Sequence, residues 1–335
     1  MSSSHKKTSV WLTINRACNL RCTWCYGASS GFAHDLVMSL DVAKQCIEFA
    51  QRCGVSRVVL IGGEPTLHSE ILSVIDLIHS YGMKIALVTN GVCFGVEKHG
   101  SKILERLDYD DSINVSIKGV SRNEYGALCS DLGAFDRVVK GLSILGAITA
   151  PRTSISYVVS ENNIEVLEET LLSIREMTDL PLGLSFCGPC FDKDGFEGKM
   201  SIQDRSELVN MCLNVLGNTS VKDISLHLNL SMCKVNAFEL GKALERCNIH
   251  TGCHVLNNSG IVFDTNGDLL LCNHLVGMPI GRFGEDYRTA DSFQNYLDSQ
   301  AYSDAWSAFT RLPFNDCEGC DSLLICGGGC PLHFF

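Results

Sequence analysis

Short apolar runs and longer amphipathic stretches alternate along the first 190 residues of the chain. The amphipathic stretches, such as LDVAKQCIEFAQRCG (40–54), repeat apolar residues at i, i+3, i+4 and i+7, which predicts helices. The short runs are rich in β-branched residues and predict six strands. They are SVWLTI (9–14), RVVLIGG (57–63), KIALVTNG (84–91), SINVSIKG (112–119), TSISYVV (153–159) and PLGLSF (181–186). Strands that alternate with helices predict an α/β fold with a parallel sheet, either doubly wound or a barrel.

Polar motifs follow four of these predicted strands. CNLRCTWC (18–25) follows the first, GGEPT (62–66) the second, TNG (89–91) the third and FCGPC (186–190) the sixth. In parallel α/β folds the chemistry collects at the carboxyl ends of the strands. The pattern therefore predicts that the four motifs share one site.

The pattern changes after residue 190. A helix is predicted over 201–217, a polar segment follows, and residues 247–330 contain seven cysteines among many glycines and turn residues. We therefore predict two parts, an α/β core over 8–235 and a cysteine-rich domain over 236–335.

Composition narrows the classes of function. The formal net charge of -11 argues against broad nucleic-acid binding, since no basic stripe is present to displace counterions. No apolar run reaches the roughly 18 residues that a membrane span needs, and the N-terminus lacks an apolar signal segment. The expected location is therefore cytoplasmic, where 18 cysteines indicate metal binding or catalysis rather than disulfides.

The first cysteine cluster has the spacing C-x3-C-x2-C at Cys18, Cys22 and Cys25. Three thiolates can hold three corners of an iron–sulfur cubane and leave the fourth iron open to a ligand. A zinc site or a chance cluster is the alternative. This motif and GGEPT each follow a predicted strand, in this order along the chain, which favours the iron–sulfur cubane over the alternatives.

Together these residues resemble the radical S-adenosylmethionine (radical SAM) superfamily. The resemblance implies a partial (β/α)6 TIM-type barrel and a 4Fe–4S cluster on Cys18, Cys22 and Cys25 whose open iron binds S-adenosylmethionine. It also implies reductive cleavage of that cofactor to a 5'-deoxyadenosyl radical, which takes a hydrogen atom from the substrate. The electron would come from a donor such as flavodoxin or ferredoxin. The implied cofactor-binding residues are Trp24, Tyr26, Gly62, Gly63, Glu64, Asn90, Ser116 and Lys118.

The resemblance gives some of these residues particular positions. Tyr26 would lie beside the adenine, Gly62 to Glu64 beside the methionine amino group, and Ser116 near the ribose or carboxylate. Related enzymes usually have S-I/L-D-G on the fourth strand, whereas this chain has Ser116-Ile117-Lys118-Gly119. A cation thus replaces an anion near the expected active site.

The C-terminal cysteines resemble the SPASM iron–sulfur extension of these enzymes. The resemblance implies one or two auxiliary 4Fe–4S clusters, and a zinc ribbon is the alternative. The implied ligands are Cys247, Cys253, Cys272 and Cys330 for the first cluster and Cys317, Cys320 and Cys326 for the second. The signature ends with one further cysteine that this sequence lacks. We therefore expect either a truncated form, an unusual ligand such as His333, or an open iron; a solvent-exposed His333 is favoured over a ligand.

Four further residues bear on the chemistry. Cys187 and Cys190 of FCGPC are candidates for a redox dithiol, cluster ligands or a hydrogen-atom donor, or else they pack a turn. His274 is a candidate base, with an ordinary turn histidine favoured. Asn273 stands where some relatives that oxidise a serine or cysteine have a general-base aspartate, which argues against that chemistry.

The sequence therefore predicts a radical SAM enzyme that acts on a C–H bond by oxidation, crosslinking or epimerisation. A ribosomally synthesised peptide is the favoured substrate. The alternative is a small-molecule dehydrogenase or epimerase, for instance on an aminosugar. An iron–sulfur electron carrier or a zinc-binding adaptor is the alternative from another class.

Overall fold

The computed structural model describes residues 7–192, 195–197 and 200–334, and the six predicted strands are present in it. Within these residues the strands are β1 (Ser9–Thr13), β2 (Arg57–Ile61), β3 (Lys84–Thr89), β4 (Ser112–Ile117), β5 (Arg152–Val159), β6 (Leu182–Phe186), β7 (Cys190–Asp192), β8 (Gly195–Glu197), β9 (Ile224–Leu228), β10 (Asn248–Thr251), β11 (Gly260–Phe263) and β12 (Leu269–Leu270).

The helices lie mainly between the strands, as the apolar periodicity predicts. They are α1 (Leu40–Arg52), α2 (Ile71–Ser80), α3 (Glu97–Leu104), α4 (Arg122–Cys129), α5 (Ala134–Gly146), α6 (Leu167–Met177), α7 (Ile202–Asn218), α8 (Ala237–Leu244), α9 (Ala290–Leu297), α10 (Gln300–Phe309) and α11 (Leu323–Cys326). None of the helices in the described part of the chain is both long and apolar enough to cross a bilayer.

One sheet of ten strands organises the molecule, in the order β10-β9-β6-β5-β4-β3-β2-β1-β11-β12. All neighbouring pairs are parallel except β11 with β12. Strands β1 to β6 are neighbours in chain order, each joined to the next through helical segments. The predicted α/β fold with a partial (β/α)6 barrel is confirmed.

The sheet extends beyond the six predicted strands at both ends. Strand β9 pairs with β6, and β11 pairs with β1 through the register Ser9↔Gly260. Strand β9 was not predicted because its sequence, ISLHL, is short and follows a polar segment. Strands from both sides of residue 235 thus share one sheet, and the domain boundary there stays a prediction.

Helix α1 illustrates how sequence periodicity forms the core. Its residues Ala43, Cys46, Ile47 and Ala50 lie at i, i+3, i+4 and i+7, and all four are fully buried. The Ser39 side chain accepts a hydrogen bond from Val42 N and caps the helix N-terminus. Burial of this apolar face, rather than helix propensity alone, stabilises the helix on the sheet.

Candidate active site

The carboxyl ends of β1 to β6 surround one cavity of about 260 Å³. Each strand end or the loop after it contributes to the wall, so the four motifs share one site, as predicted. The cavity wall contains every predicted residue of the first site together with Cys187 and His274; it comprises Cys18, Leu20, Cys22, Trp24, Cys25, Tyr26, Ile61, Gly62, Gly63, Glu64, Val88, Thr89, Asn90, Ser116, Lys118, Val158, Ser185, Phe186, Cys187, Gly188 and His274.

The end of helix α4 holds the loop that carries Cys18, Cys22 and Cys25. The carbonyl oxygens of Leu128 and Cys129 accept hydrogen bonds from Thr23 N and Arg21 N, both at 3.0 Å. The last carbonyl oxygens of a helix accept no hydrogen bond within the helix, so these two are available to the loop. The loop is therefore positioned by the protein itself.

The three thiols of this loop are free and half-buried. Burial raises the pKa of Cys18 to about 11 and also raises that of Cys25. The adjacent Cys129 thiol lowers the pKa of Cys22, and the charge of Lys118 acts in the same direction. Cys129 is thus a neighbour of the predicted cluster that the spacing of the motif does not reveal.

The glycines of GGEPT bring β2 close to the end of β1. A Cβ at Gly62 would lie 2.6 Å from Asn15 O, and one at Gly63 would collide with the carbonyls of Arg16 and Ala17. The close neighbour of each absent Cβ is therefore protein backbone, and the predicted position of the two glycines beside the cofactor stays a prediction. Gly63 N donates to Asn15 O at 2.9 Å, which joins the two strand ends.

Glu64 is buried, with 2% of its surface exposed, and its carboxylate accepts four hydrogen bonds. Thr66 donates through its backbone N (3.2 Å) and Oγ1 (2.7 Å), Thr89 through Oγ1 (2.7 Å), and Asn90 through its backbone N (2.7 Å). The carboxylate therefore ties the β2 turn to the end of β3. It lies at the cavity wall, but internal donors already satisfy much of its hydrogen-bonding capacity.

Strand β4 adds a cation to the cavity wall. Lys118 Nζ donates to Ser116 Oγ at 2.6 Å, and Lys118 is only 8% exposed. None of the ion pairs among the described residues includes Lys118. An ammonium without a carboxylate partner gives the cavity affinity for a negatively charged group.

Opposite the cluster loop, Cys187 follows the end of β6 and the C-terminal segment contributes His274. The His274 ring stacks on Tyr26 with centroids 4.8 Å apart. Its Nδ1 lies 3.1 Å from Pro189 O, which can only accept, so Nδ1 carries the hydrogen. His274 lies in a turn, as expected, and its ring also forms part of the cavity wall. The Cys190 side chain falls outside the described residues.

Of the C-terminal cysteines, Cys253, Cys272 and Cys330 lie together around a small apolar cluster. Cys247 instead directs its thiol to Ala243 O at 3.1 Å. His333 is only 6% exposed, so the expectation of a solvent-exposed histidine is wrong. It is buried because its short helical turn folds back on the domain.

Of the three predicted ligands of the second auxiliary cluster, Cys317 ends a short helical turn (Asn315–Cys317), Cys326 ends α11, and Cys320 lies between them. Cys326 Sγ accepts a hydrogen bond from Met232 N at 3.2 Å, and Cys317 O accepts one from Cys320 N at 3.3 Å. Cys320 is exposed, while Cys317 and Cys326 are half-buried. Whether these three cysteines share a cluster stays a prediction.

Residues 12–174 match the family model described as the Radical SAM superfamily. This segment, just under half of the chain, is similar to radical SAM domains. Its match to the mycofactocin maturase MftC of Mycolicibacterium smegmatis is 31% identical over 156 residues, 47% of this chain and 38% of that protein. A probable GTP 3',8-cyclase of Pyrococcus horikoshii is 28% identical over 139 residues, 40% of this chain and 42% of that protein. Each of these matches spans less than half the length of the relative.

Solved structures share the fold of both the radical SAM domain and the C-terminal region. Streptococcus suis SuiB bound to precursor peptide SuiA superposes with a TM-score of 0.70 over 98% of this chain and 72% of SuiB, at 16% identity. The enzyme anSMEcpe with bound AdoMet and Cp18Cys peptide gives 0.66 over 97% of this chain and 89% of that one, at 16% identity. At this sequence identity the two structures show a shared fold.

The donor set fits the cofactors that radical SAM proteins use, S-adenosylmethionine and a 4Fe–4S cluster. Three free thiols on one loop border a cavity whose opposite walls supply polar groups from four other strand ends. Three more cysteines converge beside it in the C-terminal region. Sequence reasoning missed Cys129 and Ser185; only Ser185 carries a sequence signal, since it lies near the end of β6.

Proposed function

We propose that this protein is a radical SAM enzyme that abstracts a hydrogen atom from a C–H bond of a peptide. The observation that carries the proposal is the single cavity that joins Cys18, Cys22 and Cys25 to the ends of six strands. When bound there, the cluster and S-adenosylmethionine would supply a 5'-deoxyadenosyl radical after one-electron reduction.

The residues of the cavity would divide the remaining tasks. Cys18, Cys22 and Cys25 would hold the cluster, and the Lys118 ammonium, positioned by Ser116, would attract a carboxylate of the cofactor or substrate. The Tyr26 ring, supported by His274, would provide a flat apolar wall for an adenine. Each of these groups is held by internal contacts, so little rearrangement is needed on binding.

A peptide substrate is supported by the fold shared with SuiB and anSMEcpe, whose solved structures contain peptides. Small-molecule chemistry is the competing outcome, since the GTP cyclase relative matches part of the same domain. Cys187 is our candidate hydrogen-atom donor, because it borders the cavity at the end of β6. Its S–H would transfer a hydrogen atom to a substrate radical; one electron from the flavodoxin- or ferredoxin-type donor and one proton from solvent would then convert the resulting thiyl radical back to the thiol.

The test is an anaerobic assay of S-adenosylmethionine cleavage with dithionite as reductant. We expect 5'-deoxyadenosine from the reconstituted protein and none from the triple variant Cys18→Ala/Cys22→Ala/Cys25→Ala. A peptide library should stimulate the cleavage more than an aminosugar does. An electron carrier or zinc adaptor would form no 5'-deoxyadenosine, which would refute the proposal.

The role of Cys187 has a separate readout. If the reaction is an epimerisation, the product formed in D₂O should contain deuterium from the exchangeable thiol. Incorporation that persists unchanged in Cys187→Ala would exclude Cys187 as the donor.

A further inference from the structure

Arg205, in the first turn of α7, is among the most deeply buried side chains of the protein. Only 1% of its surface is exposed. Its position near a helix N-terminus is unfavourable for a cation, because the helix dipole is positive there. Burial lowers the pKa of Arg205 to about 10, opposed by the thiols of Cys330 and Cys187.

No carboxylate compensates this charge among the described residues. Arg205 donates through Nη1 to Cys187 O (2.9 Å) and through Nη2 to Asn229 Oδ1 (2.6 Å), both neutral acceptors. Its buried Nε has no hydrogen-bond partner among the described residues. By contrast, the other deeply buried arginine, Arg16, pairs with Asp264 at 2.6 Å. The guanidinium also lies over the Phe186 ring, 5.7 Å from its centroid, but that ring carries no net charge. A buried charge without a counter-charge is costly, so Arg205 indicates an anionic group close by.

The position of Arg205 shows where that anion would lie. Cys187 follows β6 at the cavity, and Asn229 follows β9. Asn229 O also accepts a hydrogen bond from Cys330 N at 3.0 Å. Arg205 therefore joins the cavity wall to the loop that positions Cys330. Cys330 in turn packs with Cys253 and Cys272.

We infer that Arg205 is the buried counter-cation of an anionic metal–thiolate centre held by Cys330 with Cys253 and Cys272. Its positive charge stabilises the reduced, more negative state of that centre and so raises its reduction potential. Arg205 is a positioning and tuning residue, not a catalytic one. The inference rests on the proposed auxiliary centre and not on the identity of the substrate.

The test compares Arg205→Met, which removes the charge at similar length, with Arg205→Lys, which keeps it. Both are made in the Cys18→Ala/Cys22→Ala/Cys25→Ala background, so that only C-terminal centres are present. EPR-monitored redox titration should give a more negative potential for Arg205→Met, with the reduced-to-oxidised ratio at fixed potential falling roughly tenfold. Arg205→Lys should stay near the parent protein. Arg205→Gln serves as the charge-free variant if Arg205→Met does not fold.

Arg175→Met is the matched control. Arg175 also donates to backbone carbonyls, those of Leu180 (2.6 Å) and Lys222 (2.9 Å), and has no carboxylate partner in the described part of the chain. Both arginine variants should lose stability in metal-free protein through lost hydrogen bonds. When metal is loaded, the rise in Tm should be smaller for Arg205→Met than for the parent protein, whereas for Arg175→Met it should equal that of the parent protein.

Equal loading stabilisation in Arg205→Met and the parent protein, with an unchanged potential, would show that Arg205 is only a structural brace. If the C-terminal region takes up zinc and no iron, the proposed auxiliary cluster is wrong. The rise in Tm on zinc loading, compared between Arg205→Met and the parent protein, then decides the role of Arg205, since a zinc–thiolate centre is also anionic. Loss of 5'-deoxyadenosine formation alone would bear on the proposed function and not on this inference.

Discussion

Glu64→Gln separates two roles that this residue can have in the cavity. As an internal tie, the Glu64 carboxylate is needed even without ligands, because four donors from Thr66, Thr89 and Asn90 converge on it. As a pure ligand contact, it is needed only when S-adenosylmethionine binds. The free energy of unfolding of the metal-free protein distinguishes these roles.

The hydrogen-bond geometry sets the magnitude. A glutamine keeps one carbonyl oxygen, which can replace Oε1 as acceptor for the threonine donors. Its amide NH2 then faces Asn90 N, which donates to Oε2 at 2.7 Å in the native protein. One charge-assisted hydrogen bond is lost and a buried N–H is left unpaired, which costs about 2–4 kcal/mol. The expected fall in Tm is roughly 4–10 °C.

The assay is urea denaturation and thermal melting of metal-free Glu64→Gln beside Glu70→Gln. Glu70 is an exposed carboxylate close by in sequence, so its neutral variant should change stability by less than about 0.5 kcal/mol. If Glu64→Gln is as stable as Glu70→Gln and loses only S-adenosylmethionine affinity, the internal role derived from the four hydrogen bonds is wrong.

Further predictions concern three other positions. Burial lowers the pKa of Lys7 from 10.5 to about 8, so the unfolded chain binds more protons between these values and stability from this group rises with pH. The unfolding free energy of the wild type minus that of Lys7→Met should increase by about 2 kcal/mol from pH 8 to pH 10. A difference that does not change with pH would contradict this. Gly63→Ala should lower Tm, because its Cβ meets the Ala17 carbonyl, at a cost of about 1–3 kcal/mol, while Gly146→Ala, with open space around it, should not. Lys118→Met should weaken calorimetrically measured S-adenosylmethionine binding about tenfold, whereas unchanged affinity would leave the ammonium without a role in binding.

Much of the site could be predicted from the sequence, because the position where a strand ends depends on the residues of that strand and its neighbours in the chain. Apolar runs locate β1 to β6, and the motifs that follow them meet at the carboxyl edge of a parallel sheet. The cysteine spacing of the first loop needs no tertiary information, since three ligands within eight residues are close wherever the loop lies.

Contacts between distant segments could not be predicted in this way. The approach of Cys129 to Cys22 depends on how α4 ends against the loop, and nothing in either segment marks the other. The burial of Arg205 could not be predicted either, because its sequence context is that of an exposed first turn of a helix. In the structure Cys187 O and Asn229 Oδ1 accept hydrogen bonds from its guanidinium.

The sequence by itself determined the alternation of strands and helices, the first cysteine motif and its place after β1, because each depends on spacing along the chain. Only the tertiary structure decided which donors satisfy Glu64, why Gly62 and Gly63 are needed, and that His333 is buried. The physical reason is that burial and hydrogen bonding are properties of packed surfaces. Those surfaces form from residues up to hundreds of positions apart.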